Sequence, residues 1–177
     1  MGKEKETKGR FPCHAWETED AKEAKESIRG VWVRNYGEET RLGDGTVLHD
    51  NYVWDEGNRY LLRCEECGGL VLVQKSECHC LSEDDDYYSD RIPVASLEEA
   101  DLLNILWGPM DLERYPYRSI RENNSSYFWN QGEKEPRPYD TGELRRKIRK
   151  KYAVLAPEQK EMLEKLMEKA GERKDEP

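Results

Sequence analysis

The chain predicts an α+β fold, a small antiparallel sheet with one packed helix followed by a C-terminal helical hairpin. Three observations carry that expectation. Short β-branched and aromatic runs fill positions 28–80, with turn signals every ~8–12 residues, as in a meander of antiparallel strands. Helical periodicity with both a start and a stop signal first appears at 96–108. Two more amphipathic stretches follow a proline-containing segment near the C-terminus.

The elements follow in order. Residues 1–27 read as a charged, weakly ordered leader, because "AKEAKES" lacks an apolar stripe to bury. Its exception is "FPCHAW" (11–16), an apolar patch suited to docking on the body. "IRGVWVRNY" has strand composition, and "RLGDGTVLH" sets a Gly-Asp-Gly turn between apolar residues, as a hairpin does. "NYVWDEGNRYLLRC" and "GGLVLVQ" supply further strands. "LSEDDDYYSD" (81–90) has no periodicity and concentrates acid, so a loop is expected, with "RIPV" a brief strand after it. In "SLEEADLLNILWG" (96–108), Ser96 is the N-cap, Glu99 completes a capping box, and Gly108-Pro109 stops the helix. Leu97, Ala100, Leu103 (or Leu102), Leu106 and Trp107 form its buried stripe. "YRSIREN" and "SSYFWNQ" form a last hairpin around Asn123-Asn124. Residues 28–131 thus make the body, 132–140 a linker, and 141–177 two helices whose apolar faces either fold onto the body or mediate a homodimer.

The chain has 177 residues, 38% charged and 36% hydrophobic, against ~25% charged in a typical globular domain. Its core is therefore expected to be small. No run approaches the ~18–20 apolar residues that span a bilayer, and no apolar segment marks the N-terminus for export. A cytoplasmic, reducing setting is expected, where structural disulfides are disfavoured. The net charge of −9 argues against a general nucleic-acid binder. Charge is segregated, however: residues 143–177 hold 11 basic and 8 acidic groups, the rest 18 and 30.

Four of the five cysteines lie within "CEECGGLVLVQKSECHC" (64–80). Cys64-x-x-Cys67 runs into two glycines and then a strand. That suits a metal knuckle, in which the chain turns back tightly and glycine permits positive φ. A redox Cys-x-x-Cys usually starts a helix instead. Cys78 and Cys80 are the expected second pair, completing a closed, structural Zn²⁺ site of four thiolates. Because Cys-x-Cys on a regular strand points to opposite faces, His79 is an alternative ligand. Cys13 and His14 are others if the leader folds back. Over about residues 60–80 the segment resembles the zinc-ribbon and rubredoxin-like knuckle class. That resemblance implies a binding scaffold and no particular activity.

Two charged features remain. "RRKIRKK" (145–151) places Arg145, Arg146, Lys147, Arg149, Lys150 and Lys151 around Ile148, a face suited to phosphate or to an acidic protein, or simply to solvent and neighbouring acids. "EDDDYYSD" (83–90) gathers five carboxylates. Asp84, Asp85, Asp86, Tyr87 and Tyr88 could complement the basic groove of a partner protein, bind a divalent ion as in a hydrolase, or only be solvated. Trp32, Trp54 and Trp107 are expected in the core. Tyr115, Tyr117, Tyr127, Phe128 and Trp129 are expected near loop ends. The function expected is a non-enzymatic zinc-binding interaction protein, a small regulator or inhibitor that meets a protein partner, such as a nucleic-acid-handling one, through an acidic surface. A zinc-ribbon nucleic-acid binder using the basic helix is the alternative, and a metal-dependent hydrolase the third.

Overall fold

The computed structural model describes residues 10–37, 39–50, 56–78, 86–108, 116–130, 132–136 and 140–172. It is an α+β structure. The strands are β1 (Gly30–Asn35), β2 (Glu39–Arg41), β3 (Val47–Asp50), β4 (Glu56–Cys64), β5 (Leu70–Cys78), β6 (Asp86–Val94), β7 (Ser119–Asn123) and β8 (Ser126–Asn130). Six of them form one antiparallel sheet in the order β1-β4-β5-β6-β7-β8, and β2 and β3 pair separately.

The centre of this sheet is apolar on both faces, and that decides the layering. Along β5, Leu70 and Leu72 pack into one cluster with Leu61, Ile92 and Val94. Val71 and Val73 point the other way and join Tyr60, Cys64 and Ile120. Successive strand residues face opposite sides, so the unbroken "LVLV" run is what a strand covered on both faces requires.

One cover is α2 (Leu97–Leu106). The Ser96 hydroxyl accepts from Glu99 N–H at 3.1 Å, and the Glu99 carboxylate accepts from Ala95 N–H, so the expected cap forms with the carboxylate reaching back to Ala95. The helix is buried on two sides. Ala100, Leu103 and Trp107 meet the sheet, while Leu102 and Ile105 meet the C-terminal helices. Leu102 and Leu103 are thus both core residues, turned toward different clusters.

The other cover is the leader, docked through the apolar patch "FPCHAW". One 3₁₀ turn (His14–Glu17) and α1 (Ala21–Ser27) lie against the second face. The small side chains of Ala21 and Ala24 are the buried contacts, a stripe too slight to register as amphipathic. Trp16 is the anchor. It is fully buried, and its indole Nε1–H donates to Arg118 C=O at 2.7 Å. Trp129 Nε1–H donates to Glu19 C=O at 2.8 Å, and the Arg118 guanidinium stacks 3.7 Å from the Trp129 ring centroid.

The acid-rich segment differs from expectation. Residues 81–85 lie outside the described residues, but Asp86–Asp90 belong to β6, paired with β5 from Cys78↔Asp86 to Leu70↔Val94. Asp90 is tolerated there because Arg121 on β7 grips it with two bonds of 2.9 and 2.8 Å. The β7–β8 hairpin turns through Asn124 (φ 45°) and Ser125 (φ 74°), the paired left-handed conformations of a two-residue turn. Trp32, expected in the core, is 55% exposed and stacks flat on Tyr60 at 4.2 Å. Trp54 and Tyr115 lie outside the described residues.

Helices α3 (Thr141–Lys151) and α4 (Pro157–Glu168) fold onto the body. Ile148, Tyr152, Leu163 and Met167 close a third cluster with Leu42, Leu102 and Ile105, so α2 covers the apolar face expected as a possible dimer seam. Polar ties fix the docking. The Tyr152 hydroxyl donates to Ile105 C=O at 2.9 Å. Asp101, beside Arg34, accepts from the Tyr36 hydroxyl at 2.7 Å and from Gly171 N–H at 2.7 Å. Burial, reinforced by that carboxylate, pushes the Tyr36 hydroxyl up and keeps it a donor.

Ile148 is fully buried at this seam. Ile148→Ala should therefore lower unfolding free energy by about 2–5 kcal/mol in a single urea transition. Loss of helicity with the sheet core left intact would show instead that the hairpin is not part of the cooperative unit.

Candidate metal centre

The knuckle forms as the glycines require. β4 ends at Cys64, on the same face as Tyr60 and turned toward the leader. The chain reverses through Glu65–Gly68, with Gly68 N–H bonded to Cys64 C=O and Cys64 N–H to Gly69 C=O, both at 2.8 Å. Gly68 takes the positive φ of 72°. Gly69 does something else: a Cβ there would lie 2.3 Å from the Pro12 carbonyl oxygen and 3.0 Å from Cys13 Cα. Its missing side chain is what lets the leader touch the knuckle. Gly69 N–H also points at Cys67 Sγ, 3.4 Å away.

That contact brings Cys13 and His14 to the two knuckle cysteines. One ligand atom from each of Cys13, His14, Cys64 and Cys67 lies within 4.8 Å of all the others. Cys13 Sγ and Cys67 Sγ are 3.7 Å apart. His14 Nδ1 is 3.8 Å from Cys64 Sγ and 3.9 Å from Cys13 Sγ. Bonds of ~2.3 Å to sulfur and ~2.0 Å to nitrogen give tetrahedron edges of about 3.5–3.8 Å, so the cluster has nearly the dimensions of a four-ligand shell. The three cysteines are free, with no disulfide among them. Together the four side chains are placed to hold a metal ion.

The surroundings suit that role. Cys13 and Cys64 are buried and Cys67 is exposed. His14 Nε2 faces Glu66 Oε2 at 3.3 Å; it is not aligned as a hydrogen bond, but the carboxylate sits where it can hold the outer ring nitrogen of a ligating histidine. Burial pushes the Cys13 thiol well up, with the Cys67 and Cys64 sulfurs adding to it. Burial also opposes ionisation of Cys67, but hydrogen bonds from His14, Gly69 and Cys13 outweigh it and bring that thiol down to about 6. Ionisation is thus favoured at Cys67 and opposed at Cys13, whose thiol would have to give up its proton to a bound metal.

The knuckle half expected from "CEECGG" is present. Of the expected second pair, Cys78 stands at the far end of β5. β5 leaves the knuckle at Leu70 and ends at Cys78, and eight steps of an extended strand carry Cys78 about 27 Å from that start. His79 and Cys80 lie outside the described residues. The alternative pair, Cys13 and His14, fills the places because the leader folds back. The sequence signal was "FPCHAW", an apolar patch in a polar leader. Glu66 and the close-approach role of Gly69 had no local signal.

Other predicted site residues are elsewhere. Asp84 and Asp85 lie outside the described residues, and of Asp86, Tyr87 and Tyr88 the backbone runs in β6, where Asp86 pairs with Cys78 at the end of the hairpin remote from the knuckle. The basic run lies on α3, and most of its charges meet partners within the chain. Arg145 pairs with Glu98 at 2.6 Å, Lys147 with Glu143 at 3.2 Å and Arg146 with Asp140 at 3.7 Å. Arg149 grips Glu164 with two bonds of 2.7 and 2.9 Å, and Lys151 Nζ donates to Leu106 C=O at 2.6 Å. Lys150 is exposed. His49 is half-buried on β3, its Nε2 3.2 Å from Ile105 C=O.

Comparison with protein-family models, with curated proteins and with solved structures finds no match to this chain. Among the described residues no helix is long and apolar enough to cross a membrane.

Two outcomes are expected. Gly69→Ala, which puts a methyl group into the Pro12 carbonyl, should cost about tenfold or more in metal affinity, the scale at which disturbed ligand placement is felt; isothermal titration checks it, and unchanged affinity would remove the close contact from the account. In metal-free protein, alkylation of Cys67 followed by peptide mass should have its midpoint near pH 6. His14→Ala should move that midpoint upward by deleting a stabilising hydrogen bond.

Proposed function

We propose that the chain binds one Zn²⁺ through Cys13, His14, Cys64 and Cys67, and that the ion is a clasp rather than a catalyst. Three soft thiolates and one imidazole are the donor set that zinc takes in structural sites. The observation that carries this is the closure of the four-ligand cluster. Four protein ligands on a tetrahedral ion leave no position for a substrate or an activated water. Bound metal then adds to folding free energy, holding the leader on the second face of the sheet.

On that scaffold the chain acts as a non-enzymatic interaction protein, a regulator or inhibitor that meets a basic protein surface. The support is electrostatic. The net charge is −9, with the excess acid outside the C-terminal helices, and charge complementarity speeds and orients encounter with a basic partner. The basic helix is less available for phosphate, because five of its six charges already contact acids or carbonyls of the same chain.

Metal analysis of the intact protein should find one zinc per chain, lost in Cys13→Ser and in Cys64→Ser and kept in Cys78→Ser and Cys80→Ser. Loss of zinc in the last two and not the first two would replace this ligand set. The interaction is tested separately. Asp84, Asp85 and Asp86 changed together to Asn should abolish capture of the partner from the native cell while circular dichroism and zinc content stay unchanged. Capture that is indifferent to those charges would refute the acidic-surface reading.

A further inference from the structure

We infer that Cys67 is a peroxide-reactive thiol which forms a disulfide with Cys13 and expels the metal. This rests on the reading of the cluster as a metal site, and it concerns how that site is regulated.

The sulfurs of the cluster are not equivalent. Cys67 is exposed, whereas Cys13 and Cys64 are buried. A small oxidant therefore meets Cys67 first, since oxidation follows accessible thiolate character. The partner within reach is Cys13, with its sulfur 3.7 Å away. A disulfide is ~2.05 Å long, so the two sulfurs need approach by less than ~2 Å. Cys64 and Cys13 are both buried with His14 Nδ1 near their sulfurs, so the choice of Cys13 rests on its 3.7 Å approach to Cys67.

The chemistry balances with hydrogen peroxide as the oxidant. The Cys67 sulfur attacks one peroxide oxygen, the O–O bond breaks, and the departing hydroxide takes a solvent proton to become water. Cys67 now carries a sulfenic acid. The Cys13 sulfur attacks the Cys67 sulfur, the S–O bond breaks, and the second hydroxide leaves as water with another proton. Two thiolates, one peroxide and two protons give one disulfide and two waters. The metal loses two of its four ligands, and Cys64 with His14 alone do not retain it.

The new bond joins the same two segments as the ion did. Cys13 and Cys67 are 54 positions apart, so their disulfide keeps the leader tied to the knuckle after the metal has gone. Oxidation thus releases the ion without releasing the leader.

The test uses the full zinc-loaded chain, treated anaerobically with equimolar hydrogen peroxide in the presence of a chromogenic zinc chelator. The expected result is one zinc released per chain, a mass lower by two hydrogens, and a cross-linked peptide joining Cys13 to Cys67. Dithiothreitol plus zinc should reverse all three. In Cys13→Ser, Cys67 should instead be trapped by dimedone as the sulfenic acid. Zinc retained with every thiol still reduced would overturn the inference. So would a disulfide between Cys64 and Cys67, or between Cys78 and Cys80, in place of the Cys13 pair. A chain that takes up no zinc yet forms the Cys13–Cys67 bond would support the reactive pair and sink the metal reading, so the two failures are distinguishable.

Discussion

A sheet whose central strand is apolar on both faces is unstable in water unless something covers each side, and among the described residues this chain offers one conventional cover. Helix α2, backed by the C-terminal hairpin, closes one face. The other is left to a leader whose buried residues are Ala15, Ala21, Ala24, Trp16 and Cys13. Little apolar area is available there to offset the entropy of ordering the segment, ~1–2 kcal/mol per residue. The leader is consequently held by specific attachments: Trp16 on the Arg118 carbonyl at one point, and Cys13 with His14 against the knuckle at the other. The placement of the cysteine cluster at this seam, rather than in a cleft, follows from that need.

The same constraint accounts for how charge is arranged. The basic residues of α3 are matched by Glu98 on α2 and Glu164 on α4, so the hairpin's positive excess is partly spent on docking it. Exposed pairs of this kind each contribute little, about 0–1 kcal/mol, and the apolar seam around Ile148 does most of the holding. Charge there specifies orientation more than strength.

Much of the body was legible in the sequence. The helix over 96–108 announced itself through Ser96, Glu99 and Gly108, and the β7–β8 hairpin through its asparagines, because caps and turns are local chemistry. The cysteine centre was half legible. "CEECGG" carries its own turn signal, but the other ligands come from a segment about fifty residues earlier, and only tertiary contact joins them. Of "CHC", Cys78 lies at the end of β5 away from the knuckle, although it is close to "CEECGG" in sequence. The start of β6 was hidden for a similar reason. Asp90 reads as loop composition until Arg121 on the neighbouring strand is seen to neutralise it. The leader was hidden because its buried residues are small and because Gly69, which admits it, gives no sign of a close approach.

The claim that the leader completes the centre is tested most directly by X-ray absorption at the zinc edge of the purified, zinc-loaded chain. The account predicts a four-coordinate shell of three sulfurs at ~2.3 Å and one imidazole nitrogen at ~2.0 Å, and loss of the bound zinc when Cys13 is replaced by serine. A shell of four sulfurs, or one unaltered in Cys13→Ser, would contradict it.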